Sequence, residues 1–367
     1  MINRRTFVTG AVAAPFVLRA HDALASSGEV NVFAWGDYLQ QNQIEAFQSA
    51  TGIKINLSTY GSNDEAEQKL RAAGGKGFDV IFPSITNGNN FYKDNLLAEL
   101  DDAKLSIKNI IPSIYEDSVA LGGTHRGKRM LLPFNWGTEA ITFDSSVFPV
   151  ADADVSYGML WAAEAAGKAA FRQKSVVVGT AILLDATGEV PSNRALDLYK
   201  SEEDMRRVLD KVTAYIIERK ANFAAFWNNA TEATNAFKQA GAQVGQTWDT
   251  TGLLLNREDA KWKYRMPKEG GMTWLDSVGV PSGAANVDQA YAFINAMLTP
   301  EQGGMLSKNT GYNSAVIGAA DFAGDDYKRQ FNEVYTPDAL KSLWWWQPDT
   351  PWFATIRQEF VDRITNA

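Results

Sequence analysis

Residues 30–58 read VNVFAWGDYLQQNQIEAFQSATGIKINLS, and this stretch decides the fold class. Residues 30–33 are an apolar run that predicts a strand, and residues 39–50 place their apolar side chains on one helical face. Residues 53–58 then alternate apolar and polar side chains, which predicts a second strand. A strand, a helix and a strand in so few residues form a βαβ unit with parallel strands. The chain is therefore expected to be an α/β protein.

The same kind of pattern continues along the chain without a repeat, a low-complexity tract or a long linker. Further helices are predicted over residues 63–73 with Asn63 or Asp64 as the cap, from the cap Ser201 onwards, and over 287–298, and further strands over 78–82, 244–248 and 277–280. An α/β chain of this length without a linker predicts two lobes joined by short crossings, here near residues 135–139 and 272–276. We expect one lobe to contain residues 26–135 and 277–318, and the other to contain residues 136–276 and 319–367.

Composition excludes several classes of function. The 367 residues are 45% hydrophobic and 21% charged, as in ordinary globular proteins. There is no cysteine, which excludes thiol nucleophiles, disulfides and thiolate metal sites. There are two histidines, too few for a metal site built on several imidazoles. The net charge of −8 argues against a nucleic-acid partner.

The first 25 residues have the features of an export signal. Arg4 and Arg5 precede an apolar run over residues 7–18, and residues 23–25 form an A-x-A cleavage site. The two arginines fit either a twin-arginine signal or the basic start of an ordinary secretory signal, and both alternatives stay open. Since the chain has no cysteine to carry a lipid, we expect a free periplasmic protein, with no membrane insertion.

Aromatic and acidic residues recur together at the ends of predicted strands. These sets are Trp35 with Asp37 and Tyr38, Trp136 with Glu139 after residues 131–135, Asp185 with Glu189 after the apolar run 176–184, Trp248 with Asp249, and Trp274 with Asp276 before residues 278–281. Ligands bind at the carboxyl ends of strands in open α/β sheets. Aromatic faces hold cations and carboxylates pair with ammonium groups, so the pattern is complementary to a small linear polycation. Taken singly, each tryptophan could instead be a core residue, and each aspartate a helix cap or a loop residue.

Two other features of the sequence bear on the site. Trp344, Trp345 and Trp346 are adjacent, so they cannot all face one side, and at least one is expected to reach a surface or a cleft. The alternative is a C-terminal tail held across the other lobe. The sequence contains no GxSxG, HExxH or phosphate-loop motif, and we expect no catalytic residue, no metal and no cofactor.

From residue 30 to the C-terminus the sequence resembles the periplasmic polyamine-binding proteins of ABC transporters, of the spermidine/putrescine type. The stretches that carry the resemblance are VFAWGDYL at 32–39, TGIKINLSTYGSNDEAEQKL at 51–70, GFDVIFPS at 77–84, LPFNWGTEAITFD at 132–144, GQTWD at 245–249, PKEGGMTWLDSVGVP at 267–281 and NTGYNSAV at 309–316. The resemblance implies two α/β lobes, each a mostly parallel sheet flanked by helices, that close on a ligand at a hinge without catalysis. It also implies a membrane permease as the partner and a monomeric protein.

The resemblance further implies a set of ligand-binding residues. They are Trp35, Asp37, Tyr38, Ser84, Asp185, Glu189, Trp248, Trp274, Asp276, Tyr312 and Gln347. Asp276 and Asp37 are expected to pair with one amine of a protonated polyamine, and Asp185 or Glu189 with another. Tryptophans 274, 248 and 35 are expected to hold the chain between them.

Two alternatives remain at this point. The same scaffold could bind another amine-bearing or zwitterionic solute, or a metal ion. Anions are disfavoured because the strand-end loops read as acidic rather than rich in arginine or lysine. A different class is an exported hydrolase with paired carboxylates, such as a glycosidase, since tryptophan-lined clefts also suit sugars.

Overall fold

The computed structural model of the protein describes residues 28–348 and 350–367. The predicted export signal at residues 1–25 lies outside the described residues. The strands are β1 Glu29–Trp35, β2 Lys54–Tyr60, β3 Val80–Ile81, β4 Thr124–His125, β5 Lys128–Arg129, β6 Leu132–Asp144, β7 Ala169–Arg172, β8 Phe223–Trp227, β9 Val244–Trp248, β10 Trp262–Arg265, β11 Met272–Val278, β12 Asn313–Ser314 and β13 Trp344–Trp345.

Helices connect and cover these strands. They are α1 Gln41–Thr51, α2 Asn63–Ala72, α3 Gly88–Lys93, α4 Pro112–Ser118, α5 Val176–Ala186, α6 Glu202–Glu218, α7 Ala230–Lys238, α8 Asp249–Glu258, α9 Val287–Met297, α10 Pro300–Thr310, α11 Asp325–Val334, α12 Pro337–Ser342 and α13 Phe353–Thr365. Over the described ranges, we find no helix with the length and apolar character needed to cross a membrane.

The predicted βαβ unit is confirmed. β1 pairs with β2 in parallel over its whole length, and β3 pairs with the other edge of β1, also in parallel. The predicted cap of α2, Asn63 or Asp64, is one or two residues too late, because the side chain of Ser62 accepts the hydrogen bond from the Glu65 amide at 3.1 Å. The predicted cap of α6 is confirmed, since Ser201 accepts from the Asp204 amide at 3.0 Å. The predictions of β9 and α9 are also confirmed.

The larger sheet is mixed, whereas a mostly parallel sheet was expected. Its order is β13-β11-β6-β9-β7-β8, with β10 and β12 also paired to β6. The parallel pairs are β7 with β8, β7 with β9, and β11 with β13, whereas β6 runs antiparallel to its four partners. β6 is 13 residues long and buried throughout. Residues 136–139 and 274–276 therefore lie inside long strands, not beyond the ends of short ones.

The apolar run at residues 176–184 was read as a strand, and this was wrong. It forms most of α5, and every residue from Val176 to Leu184 is buried. A helix that is surrounded by core loses its polar face, and a continuous apolar run then carries no period that separates helix from strand. Asp185 consequently lies in the last turn of a helix.

Two large buried clusters occupy the two sides of the molecule. One surrounds the three-stranded sheet and includes Phe33, Phe47 and Phe293. The other contains α5, α6 and α13 with the neighbouring strands of the large sheet. The two predicted crossings are paired with each other as neighbouring antiparallel strands, residues 135–139 on β6 and 272–276 on β11.

Candidate functional site

Asp276 on β11 is the centre of a cluster of predicted site residues. The hydroxyl of Tyr38 donates a hydrogen bond to its Oδ2, and Ser84 lies opposite it in a backbone bridge and bonds its side chain. Only 8% of Asp276 is exposed. Burial raises the pKa of this carboxyl to about 6, against the lowering effect of the Ser84 and Tyr38 hydrogen bonds and with a further rise from the charge of Asp37. The result is a desolvated carboxylate that gains from a positive partner.

An aromatic wall adjoins this carboxylate. The hydroxyl of Tyr312 donates to Oδ2 of the exposed Asp37 at 3.0 Å. The ring of Trp274 meets Tyr312 edge to face, with centroids 5.5 Å apart, and Tyr38 meets Tyr312 in the same way at 6.2 Å. The indole of Trp35 lies 6.3 Å from the Tyr38 ring. Two carboxylates beside half-buried aromatic rings form a site suited to an ammonium group.

The structure thus brings seven of the eleven predicted residues together. They are Trp35, Asp37, Tyr38, Ser84, Trp274, Asp276 and Tyr312. β1, β3 and β11 supply most of them, because the loops after β1 and β3 meet β11 along its length. The indole of Trp35 also donates to the carbonyl of Phe82 at 2.8 Å, which ties the loop after β1 to the end of β3.

Strand pairing places further residues on the face that carries Asp276. Directly paired residues in antiparallel strands lie on the same face of the sheet, and so do alternate residues along one strand. Asp276 pairs with Asn135, Trp274 with Gly137 and Met272 with Glu139. Glu139 pairs in turn with Trp248 on β9. A Cβ at Gly137 would meet the Trp274 ring at 2.4 Å, so the glycine is what lets this indole lie across β6.

A second cluster lies at the Trp248 end of this face, and sequence reasoning missed its main residue. Arg172, at the end of β7, donates to Oε1 of Glu139, and its guanidinium lies 4.6 Å from the Trp248 ring centroid and 5.7 Å from that of Trp227. Glu139 is fully buried, whereas 17% of the Arg172 side chain is exposed. The available signal was the position of Arg172 directly after the apolar residues 169–171.

Asp185 and Glu189 are not brought to either cluster. Asp185 accepts hydrogen bonds from the backbone amides of Ser192 at 2.5 Å and Arg194 at 2.9 Å, so its carboxylate shapes the loop after α5. Glu189 is exposed and accepts from the Thr187 hydroxyl at 3.1 Å. The physical reason is that Asp185 lies near the end of the helix α5, about 14 Å along the helix axis from the first residue of α5.

The three adjacent tryptophans point to different surroundings, as expected, but all three are buried, so the expectation that one reaches the surface is wrong. The indole of Trp344 donates to the Arg194 carbonyl and that of Trp345 to Asp117, both at 2.6 Å. The Lys174 ammonium lies 5.0 Å from the ring centroid of Trp346. Gln347 donates to the carbonyl of Trp345 at 2.9 Å and has no direct contact with the Asp276 cluster among the hydrogen bonds of the described residues.

Asp249, paired with Trp248 in the sequence, is a buried structural carboxylate. Its Oδ2 accepts from the Thr138 amide at 3.2 Å and from the side chains of Asn313 and Tyr335, each at 2.9 Å. Its Oδ1 accepts from the Thr250 amide at 2.8 Å. Burial raises its pKa to about 6 despite these donors. All of its acceptor capacity is used within the protein.

Comparison with known proteins identifies related sequences. A family profile described as bacterial extracellular solute-binding protein matches residues 42–332. The spermidine/putrescine-binding periplasmic protein 1 of Haemophilus influenzae is 25% identical over 323 residues, which are 88% of this chain and 84% of that protein. The putrescine-binding periplasmic protein SpuD of Pseudomonas aeruginosa is 27% identical over 282 residues, which are 76% and 75% of the two chains.

Solved structures share the fold. The spermidine/putrescine substrate-binding protein PotD of Streptococcus pneumoniae superposes with a TM-score of 0.75 at 21% identity, covering 93% of this chain and 99% of that one. The binding protein MotA of A. tumefaciens, in complex with glucopine, does so with a TM-score of 0.61 at 15% identity, covering 92% and 99%. The predicted two-lobe binding-protein fold is confirmed. Since these two proteins differ in the ligand they are named with, the ligand has to be argued from the site.

Proposed function

Since this chain belongs to the bacterial extracellular solute-binding proteins, we propose that it captures a protonated amine of the polyamine type, such as putrescine or spermidine, and delivers it to the permease of an ABC transporter. The observation that carries this proposal is Asp276, a buried carboxylate beside Asp37 and the rings of Trp274 and Tyr312. The names of the curated relatives support the same class of solute.

The proposed binding mode follows from the charges and rings of the site. An ammonium group between Asp276 and Asp37 would replace the water that Asp276 loses on burial with a charge-assisted hydrogen bond. Tyr38 and Ser84 already orient Asp276 from the protein side. The Trp274 face would cover the first methylene groups of the solute, which combines cation attraction with burial of apolar surface.

We further propose that binding closes the two lobes, divided as predicted at residues 135–136, 276–277 and 318–319. The adjacent pairing of β6 and β11 supports two neighbouring crossings at one hinge. Contacts from both lobes to one solute would shift the population toward the closed form, which the permease would recognise. Release would then occur at the membrane, and the protein itself would catalyse no reaction.

Export to the periplasm completes the proposal. The basic and apolar features of residues 1–25 and the periplasmic location named for the relatives support it. We propose cleavage after Ala25 and a free, monomeric protein.

Titration of the purified protein tests the proposal. Putrescine, cadaverine, spermidine and spermine are followed by calorimetry and by tryptophan fluorescence, with 1,5-pentanediol as the uncharged control. We expect saturable binding of amines and none of the diol, because only an ammonium satisfies Asp276. Glu189→Gln is the control variant, since its side chain is exposed and should leave affinity unchanged. Equal binding of diol and diamine, or no amine binding, would contradict the proposal.

A further inference from the structure

The face of the large sheet that carries Asp276 has two cations at its far end, Arg172 and Lys174, beside one buried acid, Glu139. β7, β8 and β9 run parallel, so their carboxyl ends meet at one edge of the large sheet. Arg172 ends β7, and residues 172–175 form the turn that leads into α5, with the Ser175 amide bonded to the Arg172 carbonyl at 3.1 Å. Lys174 lies in the same turn. The expectation that the strand-end loops are acidic is therefore wrong at this turn.

The N-terminus of α5 is buried beside this turn. Its first turn contains no acidic residue, and the cap residue Ser175 makes no side-chain capping bond. Ser175 is fully buried, and its hydroxyl has no hydrogen-bond partner within residues 28–348 and 350–367. A helix of 11 residues offers free amide groups and a partial positive charge at this end, both of which favour a carboxylate.

Two contacts fix the position of the Arg172 side chain beside the N-terminus of α5. Glu139 fixes one nitrogen of the guanidinium and Trp248 supports its face. A guanidinium has five N–H donors. Since the Arg172 side chain is partially exposed and has a single carboxylate partner, it keeps donors for a further acceptor. Glu139 is the acid at this end, and its side chain is fully buried. Its Oε1 accepts from Arg172, and its Oε2 has no hydrogen-bond partner among the described residues.

The two ends are spaced for one solute. Asp276 pairs with Asn135, and Arg172 bonds Glu139, which lies four residues further along the same face of β6. Four residues of strand span about 13 Å between backbone positions, and the side chains at both ends reach inward from them. Trp274 lies between the two ends, over Gly137.

We propose that Arg172, Lys174, Ser175 and the N-terminus of α5 form a carboxylate subsite, so that the best solute carries an ammonium at one end and a carboxylate at the other. This inference rests on the proposed function, since the ammonium still binds Asp276. A diamine would place its second ammonium against the guanidinium and the positive end of the helix. An ω-amino carboxylate of the same chain length would satisfy both ends.

Matched pairs of ligands test the inference. Calorimetry compares 4-aminobutanoate with putrescine and 5-aminopentanoate with cadaverine, each pair having the same number of carbons. We expect the amino carboxylate to bind at least tenfold more tightly in one of the pairs. If diamines bind and amino carboxylates bind more weakly in both pairs, the inference fails and the proposed function stands. If no amine binds, both fail.

Variants test whether Arg172 and Lys174 produce the preference for an amino carboxylate over a diamine. Arg172→Gln combined with Glu139→Gln avoids leaving a buried unpaired charge, and it should weaken the amino carboxylate at least tenfold without weakening the diamine. Lys174→Gln changes an exposed side chain, so it should leave folding intact and weaken the amino carboxylate by a few-fold. A preference that both variants leave unchanged would overturn the assignment. Thermal melts of each variant establish that the comparison is made between folded proteins.

Discussion

Asp276 and Asp249 are two buried aspartates whose pKa values are raised alike but whose surroundings differ. Burial raises the pKa of each to about 6. Asp249 accepts four hydrogen bonds from its own protein, two from backbone amides and two from side chains. Asp276 accepts from the hydroxyls of Tyr38 and Ser84 and lies beside a second acid and aromatic rings. A raised pKa alone therefore does not mark a binding site, whereas spare acceptor capacity beside aromatic faces does.

The largest expected effect is a difference in amine affinity between variants of these two aspartates. Asp276→Asn should lower amine affinity by about thirtyfold to several thousandfold, because the ammonium loses its charged partner in a desolvated site, a cost of about 2–5 kcal/mol. Asp249→Asn should change affinity less than threefold, since its carboxylate faces other strands and is satisfied internally. Calorimetric titration with putrescine measures both.

Stability provides the control for that comparison. A shift of the Asp276 pKa from 3.8 to about 6 is equivalent to up to about 3 kcal/mol of unfavourable ionisation in the folded state at neutral pH. Asp276→Asn should therefore not lower the free energy of unfolding at pH 7, as measured by denaturant titration. A hundredfold loss of affinity together with marked destabilisation would point to a structural role instead.

A smaller effect is the pH dependence of binding. Because the pKa of Asp276 is raised, the folded protein without solute takes up a proton as the pH falls through about 6, and the neutral carboxyl no longer attracts an ammonium. Burial also raises the pKa of Tyr38 and of Tyr312, so these hydroxyls keep their protons throughout. Affinity should fall about tenfold per pH unit well below pH 6. The same sign means that protonation of Asp276 stabilises the folded state as the pH falls from 7 toward 4.

The control for the pH profile is the variant in which the carboxylate is absent. Asp276→Asn should bind weakly and with little change between pH 7.5 and 5. A wild-type affinity that is constant over this range would mean that a different carboxylate, such as Asp37, carries the interaction.

The amine end of the site was predictable from the sequence for a physical reason. Trp35 is the last residue of β1, and Asp37 and Tyr38 follow it, within a βαβ unit that the alternation of residues 53–58 indicates. Trp274 with Asp276 lies in a stretch that carries the family resemblance. The other end was not predictable in the same way. The apolar run before Asp185 has no period because α5 is buried on all sides, so the acid was expected at a strand end. Arg172 is the last residue of a four-residue strand, too short to stand out, and only the tertiary pairing with Glu139 shows what it does.

The most direct test of Asp276 as the amine-binding residue is a crystal structure of the protein with putrescine bound. We predict one ammonium nitrogen within about 3 Å of the Asp276 carboxylate, with Asp37 adjacent and the methylene groups against Trp274. An ammonium bound instead by Asp185 or Glu189, with none at Asp276, would contradict it.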